Sequence, residues 1–160
     1  MSIECVIDSS SIISLCKCDL EPFLKASGWK FISLREVFNE VVERGLAEGF
    51  LDAIQAKKLF DDKVITLEKI KEKIPANFST DEKIVELAKE LNAMVLSNDP
   101  KLGRKAVAEG LVALRSPGLC RFLVENGGIT KSQFKDALKL LVERNRLSEK
   151  SAEEYFKGVV

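Results

Sequence analysis

Apolar positions recur along the chain in two rhythms. Short runs read as buried strands: Ile3 to Ile7 ending at Asp8, Trp29 to Ile32, Lys63 to Leu67, Ala93 to Leu96 and Leu111 to Leu114. Between them the spacing is helical. "SSSIISLCKC" places Ile12, Ile13, Leu15 and Cys16 on one face, and a short piece runs from Pro22 to Gly28. Ser33 with Glu36 three places on predicts a capping box for a helix that turns Leu34, Val37, Phe38, Val41 and Val42 inward and stops at Gly45. A further amphipathic helix is predicted over 46–60, with Leu46, Phe50, Leu51, Ile54 and Leu59 inside. "STDEKIVELAKELN" is the most strongly patterned helix, with Ser79 and Glu82 at capping-box spacing. Helices are also expected over 100–109, 119–126, 130–145 and 148–157, the third opened by Thr130 after a glycine stop.

Strands alternating with helices predict a parallel sheet covered on both faces, a three-layer α/β/α sandwich. Right-handed crossovers and neighbouring first and fourth strands give a five-stranded order 3-2-1-4-5, the third strand at an edge. Residues 1–117 form this α/β domain, and residues 118–160 form a helical extension packed on it.

Composition narrows the chemistry. The chain has 160 residues, 46% apolar and 31% charged, as in an ordinary globular domain. It has no histidine, which removes His triads, His-ligated metals and the usual neutral-pH base. Cys5, Cys16, Cys18 and Cys120 lack the spacing of a zinc or redox pair and read as reduced thiols. Net charge is zero overall but −5 over residues 1–100 and +5 over 101–160. An acidic front and a basic back suit a cation in one region and a polyanion in the other. No apolar run nears the roughly 20 residues that span a bilayer. Met1-Ser2-Ile3-Glu4 has no basic leader start, so a cytoplasmic location is expected.

Four carboxylates fall at one end of the predicted sheet. Ligands of open parallel sheets bind outside the carboxyl ends of the strands. Asp8 ends the first strand and Asp99 the fourth; Asp81 opens the helix leading into the fourth, and Glu40 follows the second. Each has a local alternative: Asp8 and Asp99 as helix caps, Asp81 as a dipole partner, Glu40 as a solvated residue. Together they would repel unless a cation joined them. Oxygen ligands without His or Cys favour Mg²⁺ or Mn²⁺.

The stretches "ECVIDSSSIISL", "REVFNEVVERG" and "STDEKIVELAKELNAMVLSNDPKLGRKAVAEGLVAL" resemble the PIN-domain nucleases over residues 3–115. The tail from Leu119 resembles the helical end of a prokaryotic, toxin-like PIN subgroup. The resemblance implies a metal-dependent ribonuclease acting on single-stranded RNA and, in its most specific form, the toxin of a toxin–antitoxin pair with an antitoxin protein as partner. It assigns catalysis to Asp8, Glu40, Asp81 and Asp99, the metal to Asp8, Asp99 and Asp81, and supporting hydroxyls to Ser10 and Ser97. Lys101, Arg104, Lys105 and Arg115 lie just beyond and are the RNA-binding candidates. A homodimer is expected from the apolar stripes Phe134, Leu138, Leu141, Val142 and Tyr155, Phe156, Val159.

Rival chemistries fit less well. A haloacid-dehalogenase-type phosphatase needs a second Asp where Ser10 stands, and a response-regulator receiver needs a phosphorylatable Asp where Thr66-Leu67 stand. The alternative from another class is a catalytically weak or inactive PIN-like module that binds RNA or a protein partner.

Overall fold

The strand β1 (Glu4–Ile7) is the centre of the molecule, and its Cys5, Val6 and Ile7 are fully buried. A strand apolar on both faces needs a layer on each side, and that is what surrounds it. The structure is a computed structural model that describes residues 3–159. Met1, Ser2 and Val160, which fall within the expected segments 1–117 and 118–160, lie outside the described residues.

From β1 the chain runs through α1 (Ser9–Lys17) and α2 (Pro22–Ser27) to β2 (Lys30–Ser33). Pro22 opens α2, and Gly28 closes it in the left-handed conformation at φ 69°. Then come α3 (Arg35–Phe38), a π-helical segment Asn39–Arg44, α4 (Gly45–Ala47), α5 (Asp52–Asp61) and β3 (Ile65–Leu67). Next are α6 (Thr80–Leu91), β4 (Met94–Leu96), α7 (Pro100–Ala108) and β5 (Ala113–Leu114). The C-terminal helices are α8 (Ser116–Glu125), α9 (Lys131–Glu143) and α10 (Glu149–Phe156).

All strand pairs are parallel, and the order is β3-β2-β1-β4-β5, as the sequence predicts. Val6 pairs with Ile32 on one side and Val95 on the other, and Ile7 faces Leu96. The crossovers reverse direction between β1 and β4. That reversal opens a crevice at the carboxyl ends of those two strands.

Helix α6 lies against β1 and β4, and α7 against β4 and β5. On the other side α1 packs on α5, the π-helical segment and α8. Helices α8–α10 join the same core: Leu119, Cys120 and Phe134 are fully buried, and the Trp29 and Phe122 rings meet at 4.8 Å. Phe134, Leu138 and Leu141, expected to offer a dimer face, are therefore consumed within the chain. Val142, Tyr155, Phe156 and Val159 are half-buried against the same cluster.

Three local expectations are corrected. Of the side chains expected inside the 46–60 helix only Leu59 is buried; Leu46, Phe50, Leu51 and Ile54 are exposed, because the break around Gly49 turns them away from the core. Ser33 is not a helix cap; it lies in β2, and its buried hydroxyl donates to the Ile7 carbonyl at 2.6 Å, while Leu34 takes the N-cap position. Gly45 does not end its helix. It continues helically at φ −60°, and the expected helix over 46–60 is broken around Gly49. The glycine is needed for close approach: a Cβ at Gly45 would lie 2.8 Å from the Ala53 Cβ.

That contact generates a paired prediction. Gly45→Ala should destabilise the protein by about 1–3 kcal/mol through overpacking against α5. Gly103→Ala, in α7 with open space around it, should be neutral or stabilising by up to about 1 kcal/mol. Urea denaturation midpoints of the two variants check this; equal shifts would mean that α4 and α5 do not touch as described.

Candidate active site

Asp8 follows β1 directly and caps α1, its Oδ1 accepting the Ser11 N–H at 3.1 Å. The cap explanation is thus correct, but it accounts for one oxygen only. Ser97, the first residue past β4, donates its hydroxyl to Asp8 Oδ2 at 2.7 Å. Ser10 lies 2.9 and 3.0 Å from the two carboxylate oxygens. The pairing of Ile7 with Leu96 makes this meeting unavoidable, because the next residues on both strands emerge together.

Asp8 is only 7% exposed, and no cationic side chain pairs with it among the described residues. Burial pushes its carboxyl above the usual carboxylate range; the hydrogen bonds from Ser97, Ser11 and Ser10 pull the other way without cancelling it. A buried negative charge solvated only by hydroxyls and an amide is a site that favours a cation.

The remaining acids surround it at different depths. Asp99 is half-buried and caps α7, its Oδ1 accepting the Lys101 N–H at 2.9 Å, while its own N–H donates to Ser97 Oγ at 3.0 Å. Glu40 is exposed and accepts the Ser9 hydroxyl at 2.8 Å, which brings it beside the start of α1. It stands in the π-helical segment, a winding often found at functional positions. Asp81, in the first turn of α6, makes no hydrogen bond or ion pair among the described residues. Its neighbour Lys83 pairs with Glu36 at 2.8 Å and ties α6 to α3 near that end of the sheet.

Among the described residues, no three carboxylate or thiol groups stand as a ready cluster for a metal. The donors still fit one kind of ion. Mg²⁺ keeps several waters and commonly takes only one or two carboxylates, which Asp8 and Asp99 can supply.

The four basic candidates divide. Arg104 and Arg115 line a groove of about 510 Å³ together with Ser97 and Asp99. Lys105 faces a different groove, between α6 and α7. Lys101 is exposed at the start of α7.

Two residues escaped the sequence reading. Ser9 holds Glu40. Asn98 gives its N–H to Ser10 Oγ at 3.0 Å and accepts the Ser116 N–H at 2.7 Å, fixing the start of α8 against the site. Asn98 stands between Ser97 and Asp99, so a polar triplet emerging from a buried strand was the available signal.

A parallel sheet of order 3-2-1-4-5, with an acid at the end of its central strand and helices on both faces, defines a PIN-like α/β protein. A family model described as a PIN domain matches residues 4–158, and the chain belongs to the PIN-domain family. PIN domains are generally metal-dependent nucleases and usually use divalent ions. A solved PilT N-terminus domain protein from the hyperthermophilic archaeon Sulfolobus solfataricus shares the fold, with 20% identity and a TM-score of 0.51 over 73% of this chain and 90% of that one. No curated protein matches significantly. Among the described residues, no helix is long and apolar enough to cross a membrane.

The raised proton affinity of Asp8 has a sign that can be tested. The folded state takes up the proton before the unfolded state does, so the cost of burying the charge is full at neutral pH. It is relieved as the pH falls through the raised folded value toward the ordinary carboxylate range. Asp8→Asn keeps the cap and lets the serine hydroxyls accept instead of donate. Without divalent ions its melting temperature should equal or exceed that of the parent at pH 7, and the gap should close toward about pH 4. Melting curves across that range check it; a less stable variant at pH 7 would show that the hydroxyl network outweighs the burial cost.

Proposed function

We propose that the protein is an endoribonuclease that hydrolyses phosphodiester bonds of single-stranded RNA using Mg²⁺ or Mn²⁺. The observation that carries this reading is the buried Asp8 carboxylate, paired with no Lys or Arg among the described residues and placed at the switch point of the sheet beside Ser97 and the Asp99 loop. Asp8, Asp99 and Asp81 would hold the ion, with Glu40 as the fourth catalytic carboxylate. Such an ion, when bound, activates water and offsets the charge developing on the phosphoryl oxygens.

The chain itself supplies the rest. Ser10 and Ser97 orient Asp8, and Ser9 orients Glu40. Arg104 and Arg115 border the groove at Asp99 and suit the phosphates on either side of the scissile bond. Lys101 can join them from the start of α7, whereas the groove that Lys105 faces is separate.

The same proposal includes a cytoplasmic toxin with an antitoxin protein as partner, and a homodimer. Family membership supports the first. For an interface, the exposed Leu46, Phe50, Leu51 (82% exposed) and Ile54 are better candidates than the C-terminal stripes, whose side chains are buried or half-buried. A catalytically weak module that binds RNA or protein is the second reading. It is favoured by Glu40 and Asp99 each having a local bond, to Ser9 and to the Lys101 N–H, that needs no metal.

Asp99→Asn separates the two. Asn caps a helix about as well as Asp, so the fold should be kept and the melting temperature without metal should stay equal or rise. Mn²⁺-dependent cleavage of single-stranded RNA should fall roughly 100-fold or more, as when one strong electrostatic contributor is lost. The rise in melting temperature that Mn²⁺ gives the parent should vanish as well. Unchanged cleavage and an unchanged Mn²⁺ effect would return Asp99 to the role of a cap.

A further inference from the structure

Two hollows share one wall. Arg115 lines the groove that holds Ser97 and Asp99, and it also lines a second hollow of about 330 Å³ between α8 and α10, with Arg121, Ser151, Glu154 and Tyr155. We propose that this second hollow is a nucleobase subsite, through which the C-terminal helices extend the path of single-stranded RNA away from the acids. The proposal rests on the RNA-cleaving reading above.

The two arginines have different duties. The Arg121 guanidinium is committed: its Nε donates to the Glu125 carboxylate, and its Nη1 to the carbonyls of Tyr155 at 2.6 Å and Lys157 at 2.8 Å. It fixes the backbone that carries Tyr155 and has little charge left to offer. Arg115 is the reverse. Its Nε is buried without an acceptor, and its guanidinium makes no hydrogen bond or ion pair among the described residues. The Nη nitrogens of this guanidinium are not among the buried atoms and have no partner in the described residues, so they are free to meet an anionic acceptor from outside the chain. The Asn98 bond to the Ser116 N–H holds its backbone beside the acids.

The hollow itself is unsuited to a phosphate, because the exposed Glu154 carboxylate would repel one. It suits a base. Glu154 can accept from the exocyclic amino group of adenine, cytosine or guanine, which uracil lacks. Ser151 accepts the Ser148 hydroxyl at 2.9 Å and keeps its own proton to donate. Tyr155, half-buried against the core, offers an aromatic face of the kind on which unpaired bases stack. A volume of about 330 Å³ is at the lower end of ordinary small-ligand pockets (~300–1,000 Å³), room for one base and no duplex. The base therefore enters the hollow while its phosphate meets Arg115 at the shared wall.

The test compares short oligocytidylate and oligouridylate, in binding by fluorescence anisotropy and in steady-state cleavage with Mn²⁺. The parent should favour oligocytidylate. Tyr155→Leu, which keeps apolar contact with the core but removes the stacking face, should weaken oligocytidylate binding about tenfold and raise KM with little change in kcat. Tyr155→Phe should restore both. Glu154→Gln, at an exposed side chain, should reduce the preference for cytosine and carries the test alone should the leucine variant not fold. A parent that binds and cleaves RNA while Tyr155→Leu and Glu154→Gln behave like it would overturn the subsite and leave the nuclease standing. A parent that neither binds nor cleaves either oligomer overturns the nuclease reading and the subsite with it.

Discussion

The parallel pairing of β1 with β4 is the constraint on which the rest of the molecule depends. It sets Ile7 beside Leu96, so that Asp8 and Ser97 leave the sheet side by side. The Asp8 N–H still reaches the Leu96 carbonyl at 3.2 Å, which extends the ladder by one bond into the loop. Everything polar near the site is arranged around the charge that this register buries. Moving β1 by one residue along the sheet would either draw the Asp8 carboxylate in among the apolar side chains or push Ile7 out of them, so the hydrophobic core itself holds the carboxylate in place.

Around Asp8 the hydrogen bonds form a chain that links three separate segments. Ser10 on α1 takes the Asn98 N–H, Ser97 takes the Asp99 N–H, and Asn98 takes the Ser116 N–H. The first turn of α1, the loop after β4 and the start of α8 are thereby one rigid unit. Its physical value is preorganisation: loops that would otherwise move are held by short bonds to a buried group. The same unit carries Arg115, so the start of the helical extension is placed relative to the acids.

Several features followed from the chain alone because they are local or periodic. Ser79 and Thr130 cap α6 and α9 as their spacing predicts, and the apolar stripe of α6 faces the sheet. The four cysteines, read as reduced thiols, are free, and the fold buries all of them. Ser33 and Gly45 were misread for one shared reason. A serine before a helical pattern and a glycine within one usually act on their own turn, whereas here each serves a neighbour, the Ile7 carbonyl and the Ala53 side chain.

The sequence by itself determined the alternation of strands and helices, the sheet order and which acids stand at the carboxyl ends of strands, since hydrophobic periodicity and crossover handedness leave few other arrangements. Tertiary structure decided what those acids experience. The burial of Asp8, the Ser9 hydroxyl that reaches Glu40 across 31 residues of chain, the Ser97 hydroxyl that reaches Asp8 across 89, and the π-helical winding beneath Glu40 depend on distant contacts or on a winding no propensity encodes. The same holds for the division of the basic residues, Arg104 and Arg115 facing Asp99 while Lys105 faces α6. Residues on one helix are adjacent in sequence, but which groove each side chain enters is set by what packs against that helix.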